Sequence, residues 1–180
     1  MPPTPDRDRQ KPGRLAKPAG TSGNAQRTAS AMKVFLAGII QGSNVEPQIH
    51  GQDWRGLIKE ALARRLPEAE VYCHFSRHPN SITYDLPEIR RTFAEGLQQA
   101  AESDVLVAYL PSASMGTAIE LAEAARAGAV VLTITPLSAN WVVRAYSDRV
   151  LPDVAGFESF LASGELAEVL RRKRKSHGRT

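Results

Sequence analysis

The segment Ser103–Gly128, SDVLVAYLPSASMGTAIELAEAARAG, constrains the fold more than any other part of the chain. Asp104–Leu110 is an almost unbroken apolar run, which suits a strand covered on both faces. A loop of small residues follows, then a helix opening near Gly116 and closed by Gly128. A strand that leads straight into a helix is half of a βαβ unit, so its neighbours should be parallel strands. One turn into that helix stands a lone carboxylate, Glu120, among Met115, Ala118, Ile119, Leu121 and Ala122. Open α/β sheets place ligands at the carboxyl ends of their strands. The first turn of a helix adds a field that favours anions there. Glu120 is thus a candidate for chemistry. A solvated first-turn acid behind a plain N-cap, Ser114, fits the same pattern, and the residues alone leave both readings open.

The rest of the chain alternates in the same way. KVFLAGII (Lys33–Ile40) is a second doubly covered strand, followed by a polar loop with Gly42, Ser43, Asn44 and Pro47. DWRGLIKEALARRL (Asp53–Leu66) repeats apolar residues at helical spacing. Glu70–Phe75 reads as a strand and Arg77–Asp85 as a turn-rich loop. A helix from Pro87 to about Glu102 should turn Ile89, Phe93, Leu97 and Ala100 inward. Ala129–Thr135 is a further strand, Ser138–Ser147 a short helix and Arg149–Leu151 a short edge strand. A last helix runs from about Phe157 to Arg172, interrupted at Gly164. This order predicts a three-layer α/β sandwich of the flavodoxin or Rossmann kind, with about five mostly parallel strands. A chain of 180 residues is too short for a TIM barrel.

Charge is unevenly distributed. Twelve of the 23 Lys and Arg residues lie in Met1–Met32 and Arg171–Thr180, so Lys33–Leu170 holds eleven basic against seventeen acidic side chains and is net −6. The basic character belongs to the ends, and a nucleic-acid-binding face on the fold is not expected. RRKRK (Arg171–Lys175) has the composition for unspecific phosphate-backbone contact, although a solvated helix end explains it more simply. Residues 1–31 are rich in Pro, Gly, Ser, Thr and Arg and are expected to be disordered. Residues 32–170 form the expected domain, and 171–180 a basic tail. No apolar run approaches a membrane span and no apolar leader is present, so a cytoplasmic location without membrane contact is expected. Cys73, the single cysteine, reads as a buried structural thiol.

Several chemistries lack their residues. There is no Walker A motif, no GxGxxG and no GxSxG. His74 and His78 are four apart across a strand end and a loop, which does not make a zinc pair. No metal and no cofactor is expected. Carboxylate chemistry remains: Glu120 as a nucleophile on a sugar C1, forming a glycosyl ester. Gly116 would allow close approach of a substrate, and Ser112 and Ser114 offer hydroxyls.

The first strand ending in Gly38, the strand Asp104–Ala108 and the register Gly116-Thr-Ala-Ile-Glu120 resemble the nucleoside 2-deoxyribosyltransferase superfamily, over about Met32–Phe160. That superfamily includes the 2′-deoxynucleoside 5′-phosphate N-hydrolases. The resemblance implies cleavage of an N-glycosidic bond in a (deoxy)nucleoside or its 5′-monophosphate, with Glu120 as nucleophile. It also implies a homodimer or higher homo-oligomer whose sites borrow a neighbour's residues. Ser114 falls where the transferases carry Asp and the hydrolases a phosphate-binding Ser. The hydrolases follow their first-strand Gly with Ser-x-Arg, whereas here Gly38 precedes Ile39-Ile40-Gln41, leaving Gln41, Gly42 and Ser43 as neutral donors. The family's second acid matches Gly96, with Glu95 beside it as the catalytic candidate after a one-residue shift. Asn140 or Ser138 stands where the family supplies a residue to a partner's site, and Tyr84 is the expected contact from the loop His78–Asp85. The GTxxE portion is shared with phosphoribohydrolases carrying PGGxGTxxE, but the double glycine is missing. A non-catalytic nucleotide-binding or sensor module on the same fold is the alternative from another class.

Overall fold

The computed structural model describes residues 31–178. The expected disorder of residues 1–31 therefore falls almost wholly outside the described part. Five strands form one sheet in the order β2-β1-β3-β4-β5, and every adjacent pair is parallel. These are β1 (Lys33–Gly38), β2 (Glu70–Cys73), β3 (Val105–Tyr109), β4 (Val130–Ile134) and β5 (Arg149–Leu151). Among the described residues seven α-helices accompany them: α1 (Trp54–Arg65), α2 (His74–Arg77), α3 (Leu86–Ala101), α4 (Met115–Ala127), α5 (Trp141–Tyr146), α6 (Val154–Ser163) and α7 (Glu165–Ser176). The expected three-layer sandwich is present, and its sheet is parallel throughout.

Alternation along each strand divides the core in two, because successive side chains leave opposite faces. Val34, Leu36, Val105, Val107, Val130 and Leu132 meet α1, α6 and α7 on one face. Phe35, Ala37, Leu106, Ala108 and Val131 meet Ala100 of α3 and Leu121 and Ala124 of α4 on the other. The chain reverses its winding between β1 and β3, so the carboxyl ends of these two strands open the crevice where such sheets bind ligands.

Local signals fix the helices that flank this crevice. Asp85 and Glu88 form a capping box at the start of α3, with Pro87 in its first turn. The Ser114 hydroxyl caps α4 by accepting from Thr117 N, and Gly128 ends that helix in the left-handed region at φ 86°. The fold departs from expectation in three places. β2 stops at Cys73, and His74–Arg77 coil into the one-turn helix α2. On α3, Thr92, Gly96 and Ala100 are buried while Ile89 and Phe93 are half exposed. The inward stripe is thus made of small residues, because α3 packs closely on α4, and the larger side chains turn to the crevice. The last helix breaks at Gly164 as expected, but α7 continues to Ser176, so Arg171–Lys175 extend the helix.

Phe157 of α6 is fully buried within the first core layer. Its replacement by Ala should cost about 3–5 kcal/mol in urea unfolding, through lost transfer energy and the cavity left behind.

Candidate functional site

The crevice is floored by the end of β1. Gly38 has φ 148°, and a Cβ there would stand 2.4 Å from the Trp54 ring and 2.8 Å from the Tyr109 carbonyl. Only glycine fits, and this lets the first loop leave the sheet at a sharp angle. The loop is then tied down: Gln52 donates through Nε2 to the Ile39 and His50 carbonyls at 3.0 and 2.8 Å, and His50 N donates to the Ile40 carbonyl.

Beneath this turn lies Arg55, only 4% exposed. Its Nε donates to Gln52 Oε1 at 2.6 Å, its Nη2 to the Gly38 carbonyl at 3.2 Å and its Nη1 to the Leu36 carbonyl at 3.3 Å. Nη1 also reaches the buried thiol of Cys73 at 3.5 Å. The guanidinium lies 4.2 Å from the Trp54 ring centre, and Trp54 stacks in turn on Tyr109. No carboxylate lies within ion-pairing distance of Arg55 among the described residues. Burial pulls its pKa down, with Cys73 and Glu120 acting in the opposite sense.

Glu120 approaches from α4. It precedes core-facing Leu121 by one position, which turns it about 100° off the core-facing row, towards α3. A Cβ on Gly96 would come within 3.9 Å of Glu120 Oε1 and 3.2 Å of His74 Nδ1, so Gly96 leaves room for both side chains. Glu120 is partly buried, and desolvation raises its pKa from 4.5 to about 8, with Arg55 drawing it back down. Beside it, burial and then the neighbouring His78 lower the His74 pKa to about 4, against an opposing pull from Glu95. His74 is therefore a neutral imidazole at pH ~7.

The structure brings most of the expected site residues together. A cavity of about 330 Å³ holds Gly38, Gln41, Gly42, Tyr84, Ser114, Gly116 and Glu120 in one lining. An adjoining cavity of about 280 Å³ shares Gly42 and Ser114 with it and is lined by Ser43 and Asn140. Asn140 Oδ1 caps α5, accepting from Val142 N and Val143 N. Two expected residues stand elsewhere. Glu95 lines neither cavity: it accepts from Tyr72 Oη at 3.0 Å and lies 3.5 Å from His78 Nε2. His78 Nδ1 in turn lies 3.2 Å from Tyr84 Oη, so Glu95 reaches the wall residue Tyr84 through His78. Ser112 also lines neither cavity.

Sequence reading missed Arg55, His74, Thr92 and Phe93. The first was one helix cation among several, and His74 was weighed only as half of a zinc pair. Their signal is structural: β2 ends early enough to turn His74 inward, and the α1 start passes under Gly38. Among the described residues no group of His, Cys, Asp and Glu side chains could hold a metal ion. No helix there is long and apolar enough to cross a membrane.

No protein-family model matches the chain, and no curated protein matches it in sequence. Solved structures do. A 2-deoxyribosyltransferase from Bacillus psychrosaccharolyticus superposes with TM-score 0.53 at 17% identity, covering 70% of this chain and 90% of that one. A conserved protein from Enterococcus faecalis gives 0.50 at 16% identity, covering 74% and 98%. A CMP N-glycosidase from Clostridium botulinum gives 0.45 at 16%, covering 72% and 98%. The chain has a nucleoside 2-deoxyribosyltransferase-like fold.

The raised Glu120 pKa means that the folded state binds this proton more tightly than the unfolded chain does. The resulting stabilisation is complete below about pH 4.5 and is lost as the pH rises through about 8. Glu120→Gln, which cannot ionise, should therefore melt at a higher temperature than the parent above pH ~8, with the gap closing towards pH ~4.5. Melting curves across that range test the sign.

Proposed function

We propose that this protein is an enzyme that cleaves the N-glycosidic bond of a nucleoside or nucleotide, with Glu120 as nucleophile. The observation that carries the reading is a partly buried carboxyl group at the carboxyl end of β3, in a cavity with aromatic and apolar walls. Attack by a Glu120 oxygen on C1 of the sugar forms a glycosyl ester, and the base leaves with the electron pair of the broken bond. Water or a second base then attacks C1 and frees the carboxylate. Tyr84 and Phe93 offer flat surfaces for the base. Gly116 lets the sugar come close to the helix. Arg55 is the positive charge that favours the ionised nucleophile, and His74 occupies the space beside Glu120 where the family's second acid would project from Gly96.

The fold's relation to a transferase supports this class of reaction. It is favoured over a non-catalytic sensor by the placement of Glu120, the one carboxylate in a lining that also carries Tyr84 and Phe93. We further infer a homo-oligomer. Met115 at the cavity rim is 81% exposed and Trp141 86%, an apolar surface that suits a second copy. Light scattering should then give at least twice the 19.6 kDa chain mass.

Free-base release from a panel of nucleosides and nucleotides, with and without an added acceptor base, tests the chemistry. Glu120→Gln should lower it by at least ~10³-fold. Since the carboxylate is the reactive form, kcat/KM should rise with pH and level off above about 8. Activity unchanged in Glu120→Gln refutes the assignment.

A further inference from the structure

A base that departs with the electron pair of its bond to the sugar leaves faster if it takes up a proton as the bond breaks. Glu120 attacks carbon and supplies none. Among the described residues lining the first cavity, three side chains titrate: Glu120, His74 and Tyr84. Burial and then His78 draw the His74 pKa down to about 4, so its ring is neutral and a poor acid at pH ~7. Tyr84 is left.

Behind Tyr84 a chain of polar groups leads to the surface. Tyr84 Oη lies 3.2 Å from His78 Nδ1, and His78 Nε2 lies 3.5 Å from Glu95 Oε2. The side chains of Glu95 and His78 are 43% and 19% exposed, so the chain runs from water to the cavity wall. The loop is folded to make this contact. Ser81 N donates to the His78 carbonyl and Tyr84 N to the Ser81 carbonyl, which brings the two rings edge to face at 6.0 Å. Tyr72 fixes the outer end by donating its hydroxyl to Glu95 Oε1 at 3.0 Å. Burial and Glu95 hold the Tyr72 pKa above the usual phenol range, so that proton stays in place. Carboxylate, imidazole and hydroxyl in this order can pass a proton, the carboxylate orienting the ring and balancing its charge.

Resting on the N-glycosidase reading above, we propose that Tyr84 is the catalytic acid for the leaving base, recharged by His78, with Glu95 as the positioning residue behind it. As the bond from C1 to the base breaks, the base keeps the electron pair and takes the proton of the Tyr84 hydroxyl. The Tyr84 oxygen takes the Nδ1 proton of the His78 imidazolium, which becomes neutral. A proton from water returns to Nε2 beside the Glu95 carboxylate. The water or second base that discharges the glycosyl ester gives up one proton, so the cycle closes without net gain or loss.

Base release from nucleosides graded by the acidity of the free base tests this, because an acidic base departs as an anion without help. The probes are uridine, 5-fluorouridine and 5-nitrouridine, with guanosine and its N7-methyl derivative, whose base departs already neutral, each as riboside and 2-deoxyriboside. Tyr84→Phe keeps the ring and should lower kcat by about 10²-fold or more on the least acidic base that the parent releases. That loss should shrink by at least about tenfold on the most acidic pyrimidine or on the N7-methylated purine. His78→Gln and Glu95→Gln should show the same trend with smaller losses. A loss equal across the series, in variants whose circular dichroism matches the parent's, means that the chain only holds the loop. That result overturns the acid assignment and leaves Glu120 as the nucleophile. Should Tyr84→Phe fail to fold, His78→Gln is read by the same criterion. No base release by the parent from any probe overturns the N-glycosidase reading and this one with it.

Discussion

The guanidinium of Arg55 is the interaction on which the rest of this site depends. A buried cation without a paired carboxylate is expensive unless dipoles replace its water. Here those dipoles are the Leu36 and Gly38 carbonyls, the Gln52 amide oxygen and the Trp54 ring face. The same contacts hold the end of β1 against the start of α1. They also fix Gln52, which anchors the loop carrying Gln41 and Gly42. One side chain thus shapes the cavity floor and supplies the positive field felt by Glu120.

That field is only partly effective. Desolvation still raises the Glu120 pKa to about 8, so the protonated form is the one the fold favours. Ionisation of this group weakens the structure by the free energy that its desolvation costs. The neighbouring groups follow the same rule. His74 is kept neutral by burial, and Tyr72 keeps its phenol proton through burial and its hydrogen bond to Glu95.

The fold was legible because doubly buried strands need no partner to declare themselves. VFLAG, VLVAY and VVLTI read as strands from composition alone, and Ser114 and Gly128 bracketed α4 by cap chemistry. The register of Gly116 and Glu120 located the cavity. What could not be read depended on contacts between distant segments. Ile89 and Phe93 have the spacing of a core stripe, and only the close approach of α3 to α4 sends them to the crevice instead. Glu95, one residue from the position that matches the family's second acid, meets Tyr72 and His78 from its place on α3. Arg55 carried no signal at all, since a burial of that kind is decided by where α1 begins under Gly38.

The C-terminal helix has a consequence for how the protein would fail. Lys173 donates from Nζ to both Asp148 oxygens at 3.0 and 2.9 Å, and Asp148 Oδ2 accepts from Val131 N at 2.8 Å. His177 packs on Gly128 at the other end of β4's approach, with ring atoms 3.3 Å from where a Cβ would lie. The basic end of the chain is therefore a latch across the β4–β5 margin of the sheet. Proteolytic clipping before Lys173 would remove a handful of residues from the surface, yet it would strip the cation from Asp148 and leave the three-residue strand β5 as a loosened sheet edge.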